Sequence, residues 1–210
     1  MKAALKLMNI VLCIGMYAIS DLSKAEMIYI GIEANITGVD DPWGYFDGKI
    51  NVDDRIKGYY SYNTATSPYY LDSIEAEYAF SYPFGIYLEA GEFNFQTNPN
   101  LGGLDLSIGN NQSISEYDYY SVHSFNNLQI FDCYYEIHWQ LRDDTGTAIS
   151  NLELPTIAPV LDNWKSENYF VISGLDSFNI FARVTKAELI PEPGTMMLII
   201  LGAALLGRKR

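Results

Sequence analysis

Cysteine is nearly absent from this 210-residue chain. Of its two cysteines, Cys13 lies in an apolar leader without a lipobox-like context, so cleavage of that leader leaves Cys133 alone and no internal disulfide can form. Histidine is as scarce. His123 and His138 are the only two, and neither sits in an H-E-x-x-H or other metal-spaced array. There is no G-x-S-x-G elbow and no glycine-rich phosphate cradle, and no window carries a sustained helical apolar stripe with caps. Basic residues are few in the body of the chain. Between Glu26 and Ile190 stand 7 Lys or Arg against 24 Asp or Glu, a net charge of −17. That balance excludes nucleic acid as a partner, because phosphate binding needs a cationic surface. No catalytic constellation is legible, and the expectation is a protein that is not an enzyme.

What is present concentrates first at the two ends. Lys2 and Lys6 precede the apolar stretch Leu7 to Ile19, and Ser23-Lys24-Ala25 places small residues before Glu26. This is the pattern of a Sec-type signal peptide, residues 1–25, cleaved between Ala25 and Glu26. At the other end Pro191-Glu192-Pro193 precedes an uncharged run to Gly207 and the basic end Arg208-Lys209-Arg210. The prolines cannot donate backbone hydrogen bonds and bias their predecessors toward extended geometry, so the body is expected to end near Ile190 at an exposed hinge. The apolar run Met196 to Gly207 predicts a short transmembrane helix. At about 1.5 Å per residue it reaches roughly 18 Å, short of the ~30 Å hydrocarbon core. Snorkelling of Arg208, Lys209 and Arg210 extends the reach and keeps the basic end, a membrane stop, on the cytoplasmic side.

The segment 190–210 resembles the PEP-CTERM sorting domain of Gram-negative, exopolysaccharide-producing bacteria. Pro191-Glu192-Pro193, the run Met196 to Gly207 and the basic Arg208 to Arg210 follow that family's order of motif, apolar helix and basic end. The resemblance implies recognition by an exosortase, an integral-membrane, transpeptidase-like protease that cuts near the motif. It also implies export through the Sec machinery, a transient tether to the inner membrane, and a final place at the cell surface or in the extracellular matrix.

Residues 26–189 read as one β-rich domain. Tyr, Phe, Ile and Val favour strands, and sixteen of the 17 tyrosines and all three tryptophans lie in the body. Period-two alternation runs through Ile28 to Thr37, where Ile28, Ile30, Ile32, Ala34 and Ile36 share one face. It recurs in Ile74 to Phe80, with Glu75 and Glu77 outward, and in Tyr135 to Leu141. Phe46 to Val52 and Arg55 to Tyr62 read as a pair, Phe84 to Ala90 and Glu92 to Gln96 flank Gly91, and Leu128 to Leu141 holds two short strands or one long one. Leu104 to Ile108, Tyr119 to Phe125, Tyr169 to Ser173 and Phe178 to Leu189 complete the set. Ser150 to Lys165 reads as a loop with a helical turn near Leu161 to Trp164. Short strands at this spacing predict an all-β, antiparallel β-sandwich or jelly-roll-like body. Thr37 to Pro42, leading into Gly58-Tyr59-Tyr60-Ser61-Tyr62-Asn63-Thr64, resembles the opening of a widespread group of PEP-CTERM proteins. Leu141 to Gly146, Leu154-Pro155, Asp162-Asn163-Trp164 and Phe170 resemble its closing half. The likeness supports the β-rich fold and carries no chemistry.

Candidate sites are weak. No cofactor is expected, and calcium is the one ion worth weighing. Asp40, Asp41, Asp53 and Asp54 sit in neighbouring loops and offer carboxylate oxygens, although Asp equally favours turns by binding backbone N–H groups. Asp47 and the Asp143/Asp144 pair are further candidates. Trp43 and Tyr119 lead a set of rings suited to stacking on sugars, with Tyr45, Tyr59, Tyr60, Tyr69, Tyr70 and Tyr120. Core packing accounts for at least half of them. Glu75/Glu77, Glu89/Glu92 and Glu136 invite a glycosidase reading, but neighbouring carboxylates on a strand meet the required spacing in any protein. The expectation is an exported, exosortase-sorted envelope or matrix protein. The alternative is an exopolysaccharide-binding module, with a glycan-active hydrolase behind it.

Overall fold

The apolar alternation that begins at Ile28 builds the first strand of an all-β fold. The computed structural model describes residues 26–110 and 117–191. The signal segment 1–25 with Ala25, and the sorting residues Glu192, Pro193, Arg208, Lys209 and Arg210, lie outside the described residues. Among the described residues eleven strands follow in order: β1 (Met27–Asp40), β2 (Arg55–Asn63), β3 (Tyr70–Leu71), β4 (Glu75–Ser81), β5 (Gly85–Ala90), β6 (Phe93–Gln96), β7 (Gly103–Gly109), β8 (Asp118–Phe125), β9 (Glu136–Asp143), β10 (Glu167–Ser173) and β11 (Asn179–Leu189). All pair antiparallel in one sheet ordered β3-β4-β7-β8-β9-β10-β11-β1-β2-β5-β6.

The sheet curls until its two wings face each other, which gives a sandwich-like body from a single continuous sheet. Tyr60 on β2 meets Tyr120 on β8 through a 2.8 Å hydroxyl contact, and Tyr62 packs on Phe80 of β4 at 5.9 Å. An isolated bridge between Thr97 and Asn127 ties the end of β6 to the segment after β8. The curl has a local cause in β1. Its register against β11 shifts between Glu33 and Ala34 and again between Ile36 and Gly38, and such irregularities bend and twist a strand.

Side-chain alternation sorts the faces. Ile28, Ile30, Ile32, Ala34 and Ile36 are buried, as are Ala76, Tyr78 and Phe80, and Ile137, Trp139 and Leu141. Two expected strands are loops instead. Phe46 to Val52 forms turns because Gly44, Asp47 and Gly48 hold φ of 69°, 47° and 69°, values a strand does not accept. Phe46 and Ile50 are buried even so. Leu128 to Tyr135 is likewise a loop, with Phe131 and Asp132 at φ 55° and 60°. Cys133, expected on a strand, lies in its tight Ile130–Cys133 turn, partly buried and free. The two-residue β3 was not foreseen. The helical turn was: Leu161–Asn163 is a single 3₁₀ turn.

The long segment between β9 and β10 is strapped over the core. Asp118 and Asp143, both fully buried, face each other in register at its start. Asp143 accepts the amide and hydroxyl hydrogens of Thr145 and of Thr147, and Asp118 accepts the Ile149 amide at 2.8 Å. Farther on, Tyr78 donates its hydroxyl hydrogen to Leu152 O and Tyr62 to Pro155 O, each at 2.7 Å. Buried Trp164 then packs on Tyr120. A cavity of about 380 Å³, walled by Ile108, Tyr120, Leu154 and Trp164, lies beneath the strap.

The Asp143 bonds favour its charged form, the Thr145 hydroxyl foremost, and hold its pKa below the ordinary 3.8. This contribution to stability is therefore complete above that ordinary value and is lost as pH falls through the lower folded pKa. Asp143→Asn should lower the melting temperature at pH 7, because the amide turns donors toward donors, at a cost of about 1–3 kcal/mol. It should also flatten the acid limb of stability below about pH 4. Thermal melts of both proteins from pH 2.5 to 7 check this, and superimposable profiles would refute it.

Candidate functional site

The outward face of β4, β7, β8 and β9 carries both histidines beside acidic and serine side chains. Cross-strand register lines up Asp105, His123 and His138 in one row, and Ser107, Ser121 and Gln140 in the next. The two imidazoles stand 5.8 Å apart, edge to face. His123 Nε2 lies 3.2 Å from Glu136 Oε2, and Ser121 Oγ lies 3.0 Å from His138 Nε2. Burial, then the neighbouring His123, pushes the His138 pKa down, which favours a neutral ring. Burial is also the main cause that raises Asp105, opposed by His123.

Beside these rows is a depression of about 400 Å³ bounded by Glu75, Ser107, Tyr117, Tyr119 and Gln140. The Tyr119 hydroxyl donates to Glu75, and burial followed by that carboxylate drives the phenol pKa strongly upward. The Tyr119 ring lies over Gly109, where an added Cβ would stand 2.0 Å from it. A serine hydroxyl on an imidazole nitrogen is the contact a nucleophile makes with its base. Across this face, however, the groups are engaged with one another: Ser121 with His138, His123 with Glu136, Tyr119 with Glu75. Among the described residues no group of three or more His, Cys, Asp or Glu side chains is arranged to hold a metal ion.

Two of the calcium candidates, Asp41 and Asp54, serve their own loops. Asp41 accepts the amide hydrogens of Tyr45 and Phe46 at 2.9 and 2.8 Å. Asp54 accepts that of Asn51 at 2.8 Å. Asp53, at φ 73°, donates its amide to Ile36 O, and Asp40 closes β1 opposite Asn179. The carboxylate pairs are dispersed. Glu75 and Glu77 lie on β4 and Glu136 on β9, with β7 and β8 between. Glu89 accepts from Tyr87 and Glu92 pairs with Lys49.

The two leading sugar candidates are not brought together. Trp43, 72% exposed, projects from the loop after β1, at the end of the sheet where Asp40 meets Asn179. Tyr119 pairs with Arg142 at the opposite ends of the strands. Tyr60 and Tyr120 are core, Tyr45 stacks on Phe131, and Tyr69 and Tyr70 are exposed at the β3 edge.

Tyr59 has a different setting. On the outward face of β1, β2 and β5 the rings of Tyr29, Tyr59 and Tyr87 form a strip, each 5.9 Å from the next. The strip leads into a groove of about 230 Å³ between the β4–β5 turn and the end of β6, lined by Tyr59, Ser61, Tyr82, Phe84, Tyr87 and Gln96. Sequence reasoning named Tyr59 but missed Tyr82, Tyr87 and Gln96. Alternation along β5 and β6 sets Tyr87 and Gln96 outward, whereas Tyr82 lies in the turn itself. The chain matches no family model, no curated protein and no solved structure.

Proposed function

We propose that this chain is an exported, exosortase-sorted protein of the cell envelope or extracellular matrix whose body catalyses no reaction. The signal peptide directs Sec export and is removed before Glu26. The apolar run Met196 to Gly207 forms a short membrane helix, with Arg208, Lys209 and Arg210 on the cytoplasmic side. The exosortase then cuts near Pro191-Glu192-Pro193 and frees the body for the surface or matrix.

The observation that carries this reading is the setting of the residues that lead into the motif. Strand β11 ends at Leu189, Ile190 gives its amide hydrogen to Tyr29 O at 2.9 Å, and Pro191 is exposed and outside the sheet. Among the described residues the motif thus begins one residue past the last backbone tie, and its exposed first proline favours access by a membrane protease. A non-catalytic body is supported by the mutual engagement of Ser121, the histidines and their carboxylates. Mass spectrometry of the mature protein should show a C-terminus near Pro193. An intact Arg210 in every envelope fraction would overturn the processing.

A second reading, binding of exopolysaccharide, is favoured by the outward tyrosine strip of β1, β2 and β5. A calcium role and a hydrolase role draw less support, since Asp41 and Asp54 bind backbone amides of their own loops and Glu136 is separated from Glu75 and Glu77 by β7 and β8.

A further inference from the structure

We infer that the groove between Tyr59, Tyr82 and Tyr87 is a saccharide-binding site that takes one uncharged sugar ring at a time from a neutral polysaccharide. This deepens, and rests on, the exopolysaccharide reading above, and it moves the site away from Trp43 and Tyr119.

Three observations converge on that ligand. The first is aromatic surface that the core does not use. Tyr82 is 67% exposed in the β4–β5 turn, and Tyr59 and Tyr87 are held 5.9 Å apart by direct cross-strand pairing. Sheet-mounted rings of this kind are pre-ordered, so a sugar's C–H face docks on them with little entropy loss. The second is polar capacity left open beside the rings. Among the described residues, no hydrogen bond engages the hydroxyls of Tyr59 and Tyr82 or the side-chain amide of Gln96. Ser61 also lines the groove, and a sugar's hydroxyls supply partners for these open groups. Tyr87, by contrast, is fixed by Glu89 and Asn94, which orients its ring.

The third observation is charge. The lining holds no Asp, Glu, Lys or Arg, while the body carries −17. An acidic polymer would approach against that field with no cation to receive it, so the fitting ligand is neutral. Size limits it too. About 230 Å³ is less than the roughly 300–1,000 Å³ of pockets that enclose drug-sized ligands. One ring therefore seats in the groove, and the Tyr29–Tyr59–Tyr87 strip supports its neighbours in the chain. A proline-rich peptide also favours aromatic grooves, and it is a rival outcome of the test.

The experiment is affinity electrophoresis of the exported protein in gels containing β-glucan, mannan or galactan, with alginate as the acidic counterpart and a polyproline peptide as competitor. Retardation by at least one neutral polymer and not by alginate is expected. Tyr82→Ala and Gln96→Ala should each weaken it about three- to tenfold, and Trp43→Ala should leave it unchanged. Tyr82 and Gln96 are peripheral to the core, and equal melting temperatures of the variants establish that they fold. Retardation that survives both substitutions overturns the site but leaves the saccharide reading standing. No retardation by any neutral polymer overturns both, and so does polyproline binding that depends on Tyr82 without any glycan response.

Discussion

Replacing Trp139 by alanine should lower the unfolding free energy by about 3–5 kcal/mol, a large share of the ~5–15 kcal/mol that holds a typical domain together. Trp139 is 1% exposed and faces inward from β9. Its ring meets Tyr60 at 6.0 Å and Tyr120 at 6.1 Å, joining the two wings of the sheet. The indole N–H also donates to Asn168 Oδ1 at 3.2 Å, and the Asn168 amide in turn donates to Val184 O at 2.6 Å. The truncation therefore opens a cavity and loosens the link between β9, β10 and β11. Urea titrations followed by tyrosine fluorescence and circular dichroism measure the change. A loss below 1 kcal/mol would mean that the wings do not pack through this residue. Trp139→Phe should restore part of the stability by refilling the space without the hydrogen bond.

The second large effect is expected from one added methyl group. Gly58 sits on β2 opposite Leu88 of β5, and a Cβ built there would stand 1.9 Å from Tyr87 O and 2.8 Å from Leu88 Cα. Both obstacles are backbone, so Gly58→Ala must push the two strands apart and break ladder bonds, a cost of about 3 kcal/mol at the upper end for overpacking. Gly109 provides the contrast. Its added Cβ would meet the Tyr119 ring at 2.0 Å, but that obstacle is a half-buried side chain that can rotate away. Gly109→Ala should therefore cost clearly less. Paired thermal melts decide the order, and an equal or reversed ranking would refute the account. Because Tyr59 and Tyr87 flank the Gly58–Leu88 pair, Gly58→Ala should also disorder the tyrosine strip.

Much of the body was legible because period-two alternation reports directly on which face is buried. Ile28 to Ile36, Ala76 to Phe80 and Ile137 to Leu141 needed no further information. Failures came where backbone handedness overrode composition. Phe46 and Ile50 look like strand residues, yet Gly44, Asp47 and Gly48 turn the chain, and the two apolar side chains reach the core from a loop. Phe131 and Asp132 do the same before β9. The candidate groove was less legible still. Tyr59 was visible as one of many rings, but nothing local marks it as the partner of Tyr87 or a neighbour of Tyr82.

By itself the sequence determined the all-β class, the acidity of the stretch from Glu26 to Ile190, and which residues of an alternating strand share a face. Those properties depend on composition and on a repeat of two residues, both of which are local. Only the tertiary structure decided that one sheet, rather than two, curls until its wings face each other, that His123 faces His138 and Ser121 meets His138, and that Asp118 and Asp143 together anchor a strap. It also separated Trp43 from Tyr119 and placed Tyr59, Tyr82 and Tyr87 around one groove. The physical reason is register. Which residues of distant strands become neighbours depends on pairing, bulges and curl, and a shift of one residue along any strand would send that strand's side chains to the other face.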